Sequence, residues 1–179
     1  MKRDHRAMDI PAPFEAYRDR VREEWIDYNG HMNVGYYVVV FDYATDAWLD
    51  FIGLTSAYRE KNRITTFTLE EHTLFLRELR AGAPLRFTTR LIGHDAKRIH
   101  YFHEMYHADE GFLASTNELM SLHVSQKTRR SAPMAADINN AATEANSTSS
   151  MVKPLRRRLA LRIIMPVSSY STIVIKLSE

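Results

Sequence analysis

The chain moves between two hydrophobic periods, and the change from one to the other lays out most of its elements. Residues 33–52, NVGYYVVVFDYATDAWLDFI, open with valines that favour a strand on propensity alone. The spacing overrides that preference. Asp42, Asp46 and Asp50 recur every four residues, while Tyr37, Val40, Phe41, Ala44, Trp48 and Phe51 fill the opposite side, which is the period of a helix. Asn33 stands where an N-cap belongs and Gly53 where the chain turns off a helix end. A helix this apolar and this rich in poor helix formers needs burial against something large. Its aspartate stripe reads as the solvated edge.

Strand-like segments follow: TTFTLEEHTLFLREL, then LRFTTRLIG with Leu85, Phe87, Thr89 and Leu91 on one face, then RIHYFHEMYHA, then FLASTNELMSLHV. The connections RAGAP, HDAK and ADEG are short enough for antiparallel neighbours. With a first strand at about residues 17–26, the order predicts an α+β domain in which one long helix is cradled by a curved antiparallel sheet. Past Pro133, MAADINNAATEANSTSS lacks a periodic apolar face and reads as a linker or flexible segment. The final stretch reads as a short basic helix followed by a β-like segment ending in residues 172–177. The expected division is one domain over residues 1–135 and a polar, then basic tail over residues 136–179.

Composition narrows the chemistry. The 179 residues contain no cysteine, which excludes disulfides, thiolate zinc sites, iron–sulfur clusters and cysteine nucleophiles together. Formal net charge is +2, and residues 136–179 hold six Lys/Arg against three Asp/Glu, so the body of the chain is near neutral. That leaves no electrostatic footprint for nucleic acid, and PLRRRLALR is too short to supply one. The N-terminus begins with basic residues but has charges and prolines where a signal peptide needs an apolar run, and no later run approaches a membrane span. The expectation is a cytoplasmic protein with neither nucleic-acid nor membrane partners.

The richest stretch for chemistry is WIDYNGHMNVGYY, residues 25–37, which sets Asp27, Asn29, His31 and Asn33 at alternating positions just ahead of the helix. A helix N-terminus presents unpaired N–H groups and the positive end of the dipole, favouring a carbonyl oxygen that gains negative charge. Beside it, Asp27 can act as base or nucleophile, Asn29 can hold a water or a carbonyl, and His31 can donate a hydrogen bond or relay a proton. The plainer alternative is a polar loop with Asn33 as cap and Asn29-Gly30 as a turn.

DYNGHMN resembles the Asp-x-Asn-x-His-x-Asn signature with which hotdog-fold acyl thioesterases enter their long central helix. The resemblance implies the hotdog fold, catalytic roles for Asp27, Asn29 and His31, and a fourth catalytic residue on the following strand, Glu78 of FLREL. The next position, once suspected to be a catalytic cysteine in plant-type members, is Leu79 here, which removes a cysteine mechanism. Over about residues 21–133 the pattern is similar to the bacterial betainyl-CoA thioesterases of carnitine breakdown, while the tail departs from them. This implies hydrolysis of a small acyl-CoA by a homodimer or homotetramer with no metal or organic cofactor.

The same resemblance suggests binding residues. A trimethylammonium group favours an aromatic cage, for which Trp25, Tyr28, Tyr36 and Tyr37 are candidates, with Asn33 as a further substrate contact. Arg98, Lys127, Arg129 and Arg130 are candidates for the CoA phosphates, at least one from a partner subunit. Three competing readings accompany these. Glu78 can be an ordinary carboxylate paired with Arg77 or Arg80, and Glu71 competes for its role. His100, His103 and His107 would share a helix face as metal ligands, but on a strand His100 points away from the other two. A hotdog protein that binds an acyl-CoA or acyl carrier without hydrolysing it is the alternative function.

Overall fold

The computed structural model describes residues 13–149 apart from Ala16. Strand β1 (Arg18–Arg20) leads through a 3-10 turn (Glu23–Trp25) to helix α1 (Val34–Phe51) and the short helix α2 (Ser56–Asn62). Strands β2 (Ile64–Phe75), β3 (Pro84–His94), β4 (Arg98–His107) and β5 (Leu113–Ser125) follow, and helix α3 (Ala136–Ser149) closes the described chain. The five strands form one sheet in the order β1-β3-β4-β5-β2, antiparallel at every pairing. Register shifts between Thr68 and Glu70, Leu91 and Gly93, and Met105 and Tyr106 mark bulges, which bend strands and let a sheet curl around a helix.

Helix α1 is the hub of the core. Asn33 caps it, its Oδ1 accepting from Gly35 N at 2.9 Å. At the far end Gly53 takes φ +95°, and the bonds Leu54 N to Leu49 O and Gly53 N to Asp50 O make a Schellman ending. Tyr37, Val40, Phe41 and Ala44 pack with Met32, Leu79, Leu85, Phe87 and Met105, while Trp48, Leu49 and Ile52 pack with Phe14, Leu91, Ile99, Tyr101 and Leu119. Asp42, Asp46 and Asp50 face outward, as the helical period predicts. Burial raises the Asp42 carboxyl above its ordinary range, with Asp46 adding to the shift.

A polar layer lies inside this core. His103 is fully buried, with Nε2 3.0 Å from Thr45 Oγ1 on α1 and Nδ1 2.8 Å from Thr89 Oγ1 on β3. Tyr101 donates to or accepts from Ser121 Oγ at 2.7 Å. Burial lowers the His103 pKa to about 3 and raises that of Tyr101 to about 12, so both are neutral and tie helix to sheet without a buried charge.

Two expectations need correction, and one helix was not foreseen. The first strand is shorter than residues 17–26: pairing with β3 ends near Val21, and the chain then turns inward to bury Trp25. Helix α2 carries no buried residue, so its sequence has no apolar period to read. The stretch expected to be a linker forms α3, whose Ile138 and Ala142, one helical turn apart, join Met134 in the core beside Trp48 and Ile52. Three apolar positions among many small polar ones are too sparse a signal to find in sequence. The basic helix and β-like ending expected further on lie outside the described residues.

Candidate active site

Residues 26–33 form a closed loop held by their own backbone and by the Asp27 side chain. Asp27 Oδ1 accepts from Asn29 N at 2.8 Å, Gly30 N reaches Asp27 O at 3.0 Å and Asp27 N reaches His31 O at 3.0 Å. Gly30 takes φ +78°, a conformation that an L side chain resists, and Ile26 bridges Met32. Asn33 N then bonds Trp25 O at 2.8 Å, which delivers the chain into α1. The motif is thus both turn and helix entrance.

One long-range bond places this loop against the rest of the protein. Met32 N donates to Leu79 O at 2.8 Å, and Leu79 is anchored by burial in the core. Because Met32 and Leu79 each follow a polar residue, the same pairing sets His31 against Glu78, Nε2 to Oε2 at 2.8 Å. His31 is partly buried and Glu78 is largely exposed. Residues 47 positions apart in sequence therefore meet at the N-terminus of α1, the positive end of its dipole.

Glu78 sits in the irregular stretch after β2, not on the strand itself. The competing pairings for it are not formed. Its partner is His31, the Arg77 guanidinium lies 3.7 Å over the Phe112 ring, and Glu71 is exposed on β2 opposite Leu119. Asn33 commits its Oδ1 to the cap, and Tyr36 N is satisfied by Asn33 O at 3.0 Å, so two first-turn donors expected to be open are already used.

The expected aromatic cage does not assemble in the protomer. Trp25 is buried, stacks on Tyr36 at 5.6 Å and carries the Arg22 guanidinium at 4.7 Å, so its faces are spent. Tyr28 is 95% exposed at the tip of the loop. Tyr37 instead meets Phe75 edge to face at 5.2 Å and reaches Arg77 O with its hydroxyl at 3.4 Å, close to Glu78.

The expected phosphate contacts are also remote within one protomer. Arg98 begins β4, whereas His107, at the other end of that strand, lines a groove shared with Glu78. Ten strand residues span roughly 30 Å. Arg98 is held by Asp95, whose carboxyl burial pushes up but which hydrogen bonds from Arg98 and the Lys97 and Arg98 N–H groups hold below its ordinary range. Arg129, at φ +57° with its guanidinium 5.6 Å over Phe67, and Arg130 follow β5 at that same far end. The histidines at 100, 103 and 107 have separate partners, Glu118, the two threonines and Glu110.

The groove beside Glu78 was not legible in the sequence. It encloses about 460 Å³ and brings Arg20 from β1 together with Arg77, Arg80 and His107. The signal, three arginines around the FLRELRAG turn, exists in the sequence only once β1 is known to lie against that turn.

A helix wrapped by a curled antiparallel sheet, with an Asp, Asn and His loop at its entrance, is the hotdog arrangement, and residues 21–142 match the thioesterase-like superfamily. The chain belongs to that family, and its activity class is acyl-CoA thioester hydrolysis. It is 43% identical over 122 residues to the betainyl-CoA thioesterase of Pseudomonas aeruginosa, a match covering 68% of this chain and 77% of that protein. It is 35% identical over 133 residues to the L-carnitine dehydrogenase/betainyl-CoA thioesterase of Rhizobium meliloti, covering 74% of this chain but only 27% of that longer protein. Among solved structures, a Staphylococcus aureus protein in complex with CoA superposes with a TM-score of 0.75 at 31% identity, covering 84% of this chain and 94% of that one.

Proposed function

We propose that the protein hydrolyses betainyl-CoA to betaine and CoA, acting in the cytoplasm as a homodimer, with Asp27, Asn29, His31 and Glu78 as its catalytic residues. The observation that carries the catalytic assignment is the His31–Glu78 contact of 2.8 Å at the entrance of α1. The betainyl group is suggested by the likeness to the Pseudomonas aeruginosa protein.

In this reading Asp27 acts through the carboxylate oxygen that Asn29 N does not hold. It takes a proton from water, whose oxygen adds to the thioester carbonyl carbon. The carbonyl oxygen gains charge at the positive end of α1, assisted by the Asn29 amide. The carbon–sulfur bond then breaks, and the CoA thiolate takes a proton from His31, which Glu78 holds in position. Phe75, exposed at the end of β2 and backed by Tyr37, offers the trimethylammonium group an aromatic surface in place of Trp25.

Strand β2 supports the dimer. Among the described residues it pairs only with β5 and its other edge is unpaired, and Leu74, Phe75 and Leu76 are exposed at its end, near Glu78. Open apolar edges are covered in stable proteins. Antiparallel pairing of two β2 edges would exchange the ends of the strand, carrying the Arg129 and Arg130 end of one copy toward the Glu78 end of the other.

A thiol-release assay on the full-length protein with a panel of CoA thioesters tests the reading. Fastest turnover of betainyl-CoA is expected. Preference for another acyl group would overturn the substrate, and release from none would overturn hydrolysis itself.

A further inference from the structure

We infer that the groove between β1 and the turn after β2 is an anion subsite, in which Arg77 and Arg80, with Arg20 beside them, bind the phosphate groups of the CoA arm. This rests on the reading of a CoA thioester as substrate and adds where its phosphates go. The Arg98, Arg129 and Arg130 set, at the far end of the sheet in the same protomer, is not needed for it.

Three features of the groove point to a phosphorylated ligand. Its volume of about 460 Å³ lies in the range of small-molecule sites. Glu78 is in its wall, so a ligand lying in it is continuous with the catalytic loop. Its cations come from separate elements and are partly pre-set. Arg20 is hydrogen-bonded to Gly82 O through Nη1, and Arg77 lies flat 3.7 Å over Phe112, with N–H donors left at the edge of its plane.

Three guanidinium groups and three carboxylates line the groove, and what favours an anion is how the carboxylates are engaged. Glu78 is turned to His31 at 2.8 Å, and Glu110 faces His107 at 3.6 Å. Neither pairs with an arginine of the groove. Arginine suits phosphate because its planar fork can donate two parallel hydrogen bonds to one group. Phe112 and Pro84 supply an apolar wall against which the uncharged part of the arm can lie.

The test compares three thioesters of one acyl group: of CoA, of dephospho-CoA and of pantetheine, which has no phosphate. In the Arg77→Gln/Arg80→Gln protein the KM for acyl-CoA should rise about tenfold with kcat nearly unchanged, as expected for loss of charge-assisted contacts. The effect should be absent for acyl-pantetheine, and Arg77→Lys should recover part of it. Rising ionic strength should raise the wild-type KM for acyl-CoA and leave that of the double variant nearly flat. An equal loss on acyl-pantetheine, or an unchanged KM on acyl-CoA, would overturn the subsite. Calorimetric binding of CoA itself separates this from the hydrolytic reading: about tenfold weaker binding by the variant supports the subsite even without turnover, and equal binding overturns it.

Discussion

Acidification should destabilise this protein from within, through His103. The imidazole is completely buried, its two nitrogens are taken by Thr45 and Thr89, and Phe41 stacks on it at 6.0 Å. Asp42 and Asp46 on α1 are exposed, and burial is the cause that acts on the imidazole. Burial places its folded pKa at about 3, against an ordinary value of 6.5. Above pH 6.5 neither state binds the proton. Between 6.5 and 3 the unfolded chain binds it and the folded one does not, so stability falls as pH falls through this window. At pH 5 the loss from this one group is about 2 kcal/mol relative to pH 8. For a chain of this size that lowers Tm by roughly 4–8 °C. Burial also lowers the His123 pKa, which acts in the same direction. The assay is Tm by circular dichroism from pH 8 to pH 5, for wild type and for His103→Gln, whose amide can still bond a threonine. The variant should start lower at pH 8 and lose less on acidification. Parallel curves for the two proteins would refute the reasoning, as would a His103 imidazole that titrates near 6 by NMR.

Other perturbations probe the site and its frame. Asp27→Asn should leave Tm within about 1 °C, since its amide oxygen can still accept from Asn29 N, while kcat falls by roughly 10²–10⁴; turnover near wild type would remove Asp27 from catalysis. Glu78→Gln should cut kcat while leaving stability nearly unchanged, because this carboxylate is largely exposed; a kcat equal to wild type refutes its role. Asn33→Ala should cost about 1 kcal/mol in urea unfolding through the lost cap, and a smaller change than 0.3 kcal/mol would mean another group takes over Gly35 N. Ile138→Ala should cost roughly 2–4 kcal/mol because the side chain is buried against the end of α1; a neutral result would show that α3 contributes no packing.

The helix and the sheet were readable because each buries one face, and burial imposes a period. Asp42, Asp46 and Asp50 marked the outer edge of α1 even though its valines favoured a strand. Alternation marked β3, where Leu85, Phe87 and Leu91 are buried. The caps were readable because Asn33 and Gly53 solve local problems of hydrogen bonding and backbone angle. Where an element buries little, the sequence is silent: α2 has no fully buried residue, with Tyr58 packed partly against the core, and α3 is carried by Ile138 and Ala142 with Met134 just ahead of it.

The same distinction runs through the site. The loop from Asp27 to Asn33 follows from local sequence, because its turn, its glycine and its cap are closed by neighbours within a few residues. Which carboxylate His31 meets depends on the folded core, since Glu78 is placed by the Met32–Leu79 bond and the burial of Leu79. Packing of the core likewise dictates that Trp25 is spent on Tyr36 and Arg22, and that Arg98 lies a strand's length from the site while Arg20, Arg77 and Arg80 share a groove beside it. Residue type and spacing record contacts made along the chain. Contacts between distant segments depend on strand register and sheet order, which are set by the packing of the whole core.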